Sequence, residues 1–133
     1  MEIREYTAYD EAELLALYAD AGWTNYTGRP EMLRAAYQNS LCVLAAYEGG
    51  RLAGVVRAVG DGASIVYVQD LLVLTEFQRR GIGTRLMQAL RERFGGVYQL
   101  VLLTDDTEKT AAFYRSLGLT AAEEFGCRAF LRA

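Results

Sequence analysis

The run Gln78-Arg79-Arg80-Gly81-Ile82-Gly83-Thr84 combines residue types and a spacing suited to chemistry: two glycines one residue apart, arginines before them and a hydroxyl after. A strand-like stretch enters this run and an amphipathic stretch leaves it, so the glycines fall where a helix begins. The first turn of a helix carries about four N–H groups without intrahelical acceptors, and a partial positive charge. Glycine lets that backbone approach a ligand with no Cβ between them. The spacing therefore predicts a seat for a phosphate or pyrophosphate. Residues 76–93 hold five arginines (Arg79, Arg80, Arg85, Arg91, Arg93) against Glu76 and Glu92, a net +3 in a chain whose total is −3. Charge alone fits a solvated helix face equally well. A plain helix start with glycines for packing competes with the anion site. A dinucleotide fingerprint needs a third glycine where Leu86 stands, and a P-loop needs a lysine after the glycines, which is missing.

Other chemistry is narrowed by what the chain lacks. It has no histidine and no paired CxxC, which argues against a zinc site and a histidine-based triad. Cys42 and Cys127 sit in apolar runs and are expected to be two buried, reduced thiols. The net negative charge argues against a broad nucleic-acid surface. A charged N-terminus and the absence of an apolar run near 20 residues predict a cytoplasmic protein with no membrane partner. A length of 133 residues suits one domain over 1–133, large enough for its own core.

The elements that must position the glycine run are legible from periodicity. Ile3 to Tyr6 alternates as a short first strand. Asp10, with Glu13 three residues on, predicts a capped helix running to Gly22. Residues 23–28 read as a loop, and Pro30 opens a second helix. Three strands follow at 41–47, 51–59 and 64–74, separated by glycine-rich turns. A helix begins near Gly81, with Ile82, Leu86, Leu90 and Phe94 on one stripe. Residues 98–104 read as a short strand of the central type. A further helix runs from Asp105 to Gly118, and 119–132 is expected to add one or two strands. The fold class is α/β (α+β) with one mixed sheet.

With these elements in place, the chain resembles the GCN5-related N-acetyltransferases. Their characteristic motif, Q/R-x-x-G-x-G/A at a strand–loop–helix junction, stands complete as Gln78 to Gly83. The strand Gln69-Asp70-Leu71-Leu72-Val73-Leu74 is similar to the family's fourth strand. Phe113-Tyr114-Arg115-Ser116-Leu117-Gly118-Leu119 resembles its second signature, in the right order and with one strand between. The order of elements over 1–133 also fits, so the resemblance implies the family's central mixed sheet flanked by about four helices.

The resemblance implies transfer of the acetyl group of acetyl-CoA to a primary amine, on a small molecule or a peptide, by direct attack in a ternary complex without a metal. The backbone of Leu71, Leu72 and Val73 would pair with the pantetheine arm. An N–H near Leu71 or Leu72 would polarise the thioester carbonyl. Gln78, Arg79, Arg80, Gly81, Ile82, Gly83 and Thr84 would hold the pyrophosphate. Tyr114 matches the general acid that protonates the departing thiolate, a role open to a phenol that keeps its proton at neutral pH. The glutamate that many members carry on the fourth strand is missing, which leaves Asp70 as the one carboxylate there and bulk water as the other route for the amine's proton. Thr107 stands where many members have an asparagine that touches the pantetheine, and it suits a helix N-cap equally well. Trp23, Tyr26 and Tyr37 fall in the segment that usually walls the acceptor, with Gln69 beside them. Strict alternation along a strand predicts that Gln69 and Asp70 face opposite sides. The alternative is a CoA-binding or protein-interaction module on the same fold with little turnover. A monomer and a homodimer are both compatible with the sequence.

Overall fold

Strands β1 (Glu2–Glu5), β2 (Cys42–Glu48), β3 (Arg51–Gly60), β4 (Ile65–Val73) and β5 (Gln99–Leu102) lie side by side in that order in one sheet. The first three pairings are antiparallel and the β4–β5 pairing is parallel. Short glycine turns close the β2–β3 hairpin, and a longer connection through helix α4 (Ile82–Arg93) makes the parallel step, as parallel pairing requires. The remaining helices are α1 (Glu11–Asp20), α2 (Thr24–Thr27), α3 (Pro30–Gln38) and α5 (Glu108–Ser116). The mixed sheet and flanking helices are those the sequence leads one to expect. This computed structural model describes all of residues 1–133, in two compact units, Met1–Leu103 and Thr104–Ala133.

The first unit is built on alternation across the sheet. Val43, Ala45, Val55 and Leu72 join Leu14, Leu17 and Tyr18 of α1 and Leu33 of α3 in one buried cluster. The intervening residues Leu44, Val56 and Ala58 are also buried, as are Ile82, Leu86, Met87 and Leu90 of α4, the helix that packs on β2, β3 and β4. Asp10 caps α1 by accepting from the Glu13 N–H at 3.2 Å. Pro30 occupies the first turn of α3, where its missing N–H costs nothing.

Four local expectations are corrected. Residues 24–27 form a one-turn helix rather than part of a loop. Strand β5 lies at the edge of the sheet, not at its centre, with Gln99 and Val101 exposed. Residues 119–132 add no strand; a 3-10 turn at Ala122–Phe125 is the only regular element there. A strand needs a neighbour to pair with, and the sheet takes none from this segment. Cys42 is buried as expected, but Cys127 is exposed.

The register between β3 and β4 slips by one residue. Arg57 pairs with Asp70 and Ala58 with Val68, so Gln69 has no partner on β3. This is a β-bulge, which re-aims side chains and bends the strand. It transfers the buried positions of β4 from one face to the other: Asp70 and Leu72 sit on the α1 side, level with Arg57 and Val55, whereas Val68 is level with Ala58.

Candidate active site

The β4–β5 pairing runs from Ile65↔Gln99 to Val68↔Leu102 and goes no further. Beyond the bulge, β4 keeps β3 on one side, through Val56↔Leu71, Val55↔Leu72 and Gly54↔Val73. Its other edge, toward β5, has no strand partner. Backbone N–H and C=O groups on such an edge are available to a ligand that can pair as a strand does.

At the end of this open edge the chain turns into α4. The Gln78 side-chain amide donates to the Val73 carbonyl at 3.2 Å and so braces the loop against the strand end. Arg80 lays its guanidinium over the Phe77 ring, 5.2 Å from the centroid. Arg79 has φ 65°, the one positive φ outside glycine in the chain, and Gly81 follows with φ 78° as the N-cap of α4. A Cβ at Gly81 would meet no atom within 4 Å, so the space beside it is open. The first bond into the helix is that of the Arg85 N–H to the Gly81 carbonyl, 3.0 Å. The N–H groups of Ile82, Gly83 and Thr84 precede it. Of the arginines on this segment, Arg93 is paired with Glu5 at 2.5 Å, so the positive charge nearest the turn belongs to Arg79, Arg80 and Arg85. The open edge and the glycine turn fit the two halves of an extended, amide-bearing chain that ends in a pyrophosphate.

On the α1 side of β4 a cleft of about 320 Å³ is lined by Trp23, Asn25, Tyr26, Gln69 and Asp70. The bulge brings Gln69 and Asp70 to it together, against the expectation from strict alternation. Gln69 Nε2 donates to the Tyr26 hydroxyl at 3.3 Å, and that hydroxyl donates to Asp70 Oδ1 at 3.2 Å. Asp70 is 1% exposed. Its Oδ2 accepts from Arg57 Nε and from the Tyr18 hydroxyl, each at 2.7 Å. Tyr18 in turn accepts from Tyr37 at 2.9 Å, because its own proton is committed to Asp70. Arg57 is 4% exposed, and its Nη1 also reaches Ser40 Oγ at 3.3 Å. Burial opposes the charge of Arg57, but Asp70 beside it raises its pKa above the ordinary arginine value. Burial likewise pushes the Tyr18 and Tyr37 phenols up. Of the three aromatic residues in the expected acceptor wall, Trp23 and Tyr26 line the cleft and Tyr37 packs in the core.

Arg57, Tyr18 and Asn25 were not foreseen as part of this site. A signal for Arg57 did exist: it is the one charge in the apolar run Leu52–Val59, and the next apolar strand carries a lone carboxylate, Asp70. Opposite charges buried on neighbouring strands must pair.

In the second unit, Tyr114 lies half-buried on α5, with its ring 5.0 Å edge-on to Phe113. Burial, and then the negative charge of Asp105, raise its pKa above the usual tyrosine value. Thr107 is the N-cap of α5, accepting from the Thr110 N–H at 3.3 Å. Asp105 and Thr107 both hydrogen-bond the Thr110 hydroxyl.

A family model described as the acetyltransferase (GNAT) domain matches residues 38–120. The chain belongs to this family. A GNAT family acetyltransferase from Streptococcus pneumoniae TIGR4 is 39% identical in sequence and superimposes with a TM-score of 0.90, over 99% of this chain and 96% of that one. An aminoglycoside acetyltransferase from an uncultured soil metagenomic sample shares 26% identity at a TM-score of 0.70, covering 90% and 91% of the two chains. A Gibberella zeae protein that carries an acetyltransferase name is 35% identical over 75 residues, 54% of this chain. The match spans only 41% of that curated relative's length. GNAT proteins are acyltransferases, and the family in general uses acetyl-CoA.

Proposed function

We propose that this GNAT protein transfers an acetyl group from acetyl-CoA to the primary amine of a small molecule. The observation that carries the reading is the β4 edge left open after Val68, continuous at its end with the glycine turn and backed by the 320 Å³ cleft. That volume lies at the small end of ligand sites, which favours a small amine over a folded protein surface. The soil metagenomic relative is named for activity on aminoglycosides, which are small-molecule amines.

The residues divide the work as follows. Backbone groups of Leu71, Leu72 and Val73 pair with the pantetheine arm. An N–H at Leu71 or Leu72 polarises the thioester carbonyl and meets the negative charge that builds on its oxygen. The turn from Gln78 to Thr84 holds the pyrophosphate, with Gln78 bracing it and the N–H groups of the α4 first turn donating. Thr107, the N-cap of α5, is assigned a contact with the pantetheine. The amine nitrogen, freed of its ammonium proton by water, bonds to the carbonyl carbon as the C–S bond breaks, and its second proton leaves to solvent, from which Tyr114 regains the proton it spends. Tyr114 gives its phenolic proton to the leaving thiolate.

Binding is tested first. Acetyl-CoA at about 100 times its Kd should stabilise the protein by about 2.7 kcal/mol, read as a rise in melting temperature. Gly81→Trp, which fills the open space at the turn, should abolish the shift. No shift in the parent protein overturns the reading. A screen of amines that follows release of free CoA tests turnover. Binding without stimulation by any amine would favour the CoA-binding module instead.

A further inference from the structure

The cleft contains a device that the transfer chemistry does not by itself require. We propose that the buried Arg57–Asp70 ion pair is a positioning element that fixes the Tyr26 hydroxyl as a hydrogen-bond acceptor for a cationic primary amine, so that Tyr26 and Trp23 select an ammonium group borne on an apolar or flat body. This rests on the reading of the cleft as the acceptor site.

The argument is one of hydrogen-bond capacity. A phenol has one proton and two lone pairs. Tyr26 directs its proton to Asp70 Oδ1 at 3.2 Å, which leaves only acceptor capacity. The donors that use it are distant: Gln69 Nε2 at 3.3 Å and Arg57 Nη2 at 3.5 Å. Both are longer than a normal N–H···O bond of about 2.9–3.0 Å, so an ammonium N–H at ordinary length displaces them with gain. Neighbouring rings pack against the Tyr26 ring in this pose. It stacks on Trp23 at 6.1 Å with 27° between planes, and packs on Tyr18 at 4.9 Å. The same two residues, Trp23 and Tyr26, line the cleft, and aromatic rings attract a cation held close to them.

Asp70 holds this arrangement without taking part in proton transfer. Its Oδ2 already accepts two short bonds, from Arg57 and Tyr18. A proton placed on Asp70 would strand the Arg57 guanidinium in the interior, and an unpaired buried charge is costly. Asp70 therefore acts through Tyr26, and the proton of the amine leaves by water.

Trp23 is the only tryptophan in the chain, so its fluorescence reports occupancy of the cleft directly. The probe is 2-phenylethylamine, with the uncharged 2-phenylethanol as its control, titrated at neutral pH against the parent, Tyr26→Phe, Asp70→Asn and the double variant. The amine should bind the parent more tightly than the alcohol does. Tyr26→Phe keeps the ring and should weaken amine binding about tenfold, the order expected for one hydrogen bond to a charged group, with little effect on the alcohol. Asp70→Asn should weaken it similarly, and should add nothing in the Tyr26→Phe background, since residues acting through one contact are non-additive. If Asp70→Asn does not fold, Arg57→Met/Asp70→Leu, which removes both charges together, takes its place in the cycle with the same expectations. Equal binding of amine and alcohol, no binding of either, an unchanged Kd in Tyr26→Phe, or an equal effect of the Asp70 change in both backgrounds overturns the proposal. The acetyl-CoA melting shift is read on the same samples. A shift with a flat cycle sinks this inference and leaves the acetyltransferase reading standing; a cycle as expected without a shift sinks the acetyltransferase reading and leaves only an amine-binding cleft.

Discussion

Gly54 and Leu72 lie so close across β3 and β4 that a Cβ on Gly54 would stand 2.6 Å from the Leu72 carbonyl oxygen. That separation is far below a normal contact, and the atom it meets is backbone, which cannot rotate aside. Leu72 and its neighbour Val73 belong to the part of β4 whose other edge is open. Gly54→Ala therefore pushes on the strand that would carry the cofactor arm. The variant should lose stability by about 1–3 kcal/mol, as overpacking does, measured by urea unfolding. Its affinity for acetyl-CoA should also fall, and a variant as stable as the parent would show that β4 moves freely at this point.

The Arg57–Asp70 pair makes a separate statement about stability. Removing one partner leaves a full charge in the interior, whereas removing both leaves none. Asp70→Ala should cost about 3–5 kcal/mol, and Arg57→Met/Asp70→Leu much less. Comparison of the two by chemical denaturation checks this. Equal losses would mean that packing around Tyr18, rather than the stranded charge, governs the site.

Asp61 ties the start of β4 to its turn. Its Oδ1 accepts from the N–H groups of Ala63, Ser64 and Ile65 at 2.8, 2.8 and 3.1 Å, and its Oδ2 from the Ser64 hydroxyl at 2.6 Å. The Ser64 hydroxyl first, then these backbone donors, hold its carboxyl well below the usual carboxylate range. A depressed folded-state pKa adds stability that is present above the unfolded value, about 3.9, and is lost as pH falls through the folded value. Asp61→Asn should thus melt below the parent at pH 7, with the gap closing as pH drops below about 4. A gap that stays constant down to acid pH would assign the effect to geometry alone.

How far the site could be read in advance depended on whether each feature is local. The Asp10 cap and the Gly81 turn are written in a few adjacent residues, and both are where their spacing puts them. The bulge at Gln69 is different. It is a property of how β4 pairs with β3, and nothing in Gln69-Asp70 alone marks a register slip. Without it, alternation separates two residues that in fact both bond to Tyr26. The one-turn helix at 24–27 is likewise set by its surroundings, since it has no side-chain cap of its own. The run from Leu119 to Arg132 is apolar enough for a strand, but apolarity does not supply a neighbour. Phe130 and Leu131 stay exposed there.

Tyr114 bears on the last step of the proposed reaction, and its titration gives a signed test. Burial of the ring and the charge of Asp105 both favour the protonated phenol. A raised pKa means that the proton stays in place beyond the usual value of about 10. An acid that protonates the thiolate would then remain competent across the whole neutral and mildly alkaline range. Any alkaline fall in kcat between pH 7 and 10 must come from another group. Tyr114→Phe keeps the ring against Phe113 and removes only the hydroxyl. It should lower kcat by about 10²- to 10⁴-fold, the usual contribution of a general acid, while the melting shift with acetyl-CoA persists. Steady-state rates of CoA release across that pH range, in both proteins, decide the matter. Full turnover in Tyr114→Phe would assign the proton to water and leave Tyr114 a packing residue of α5.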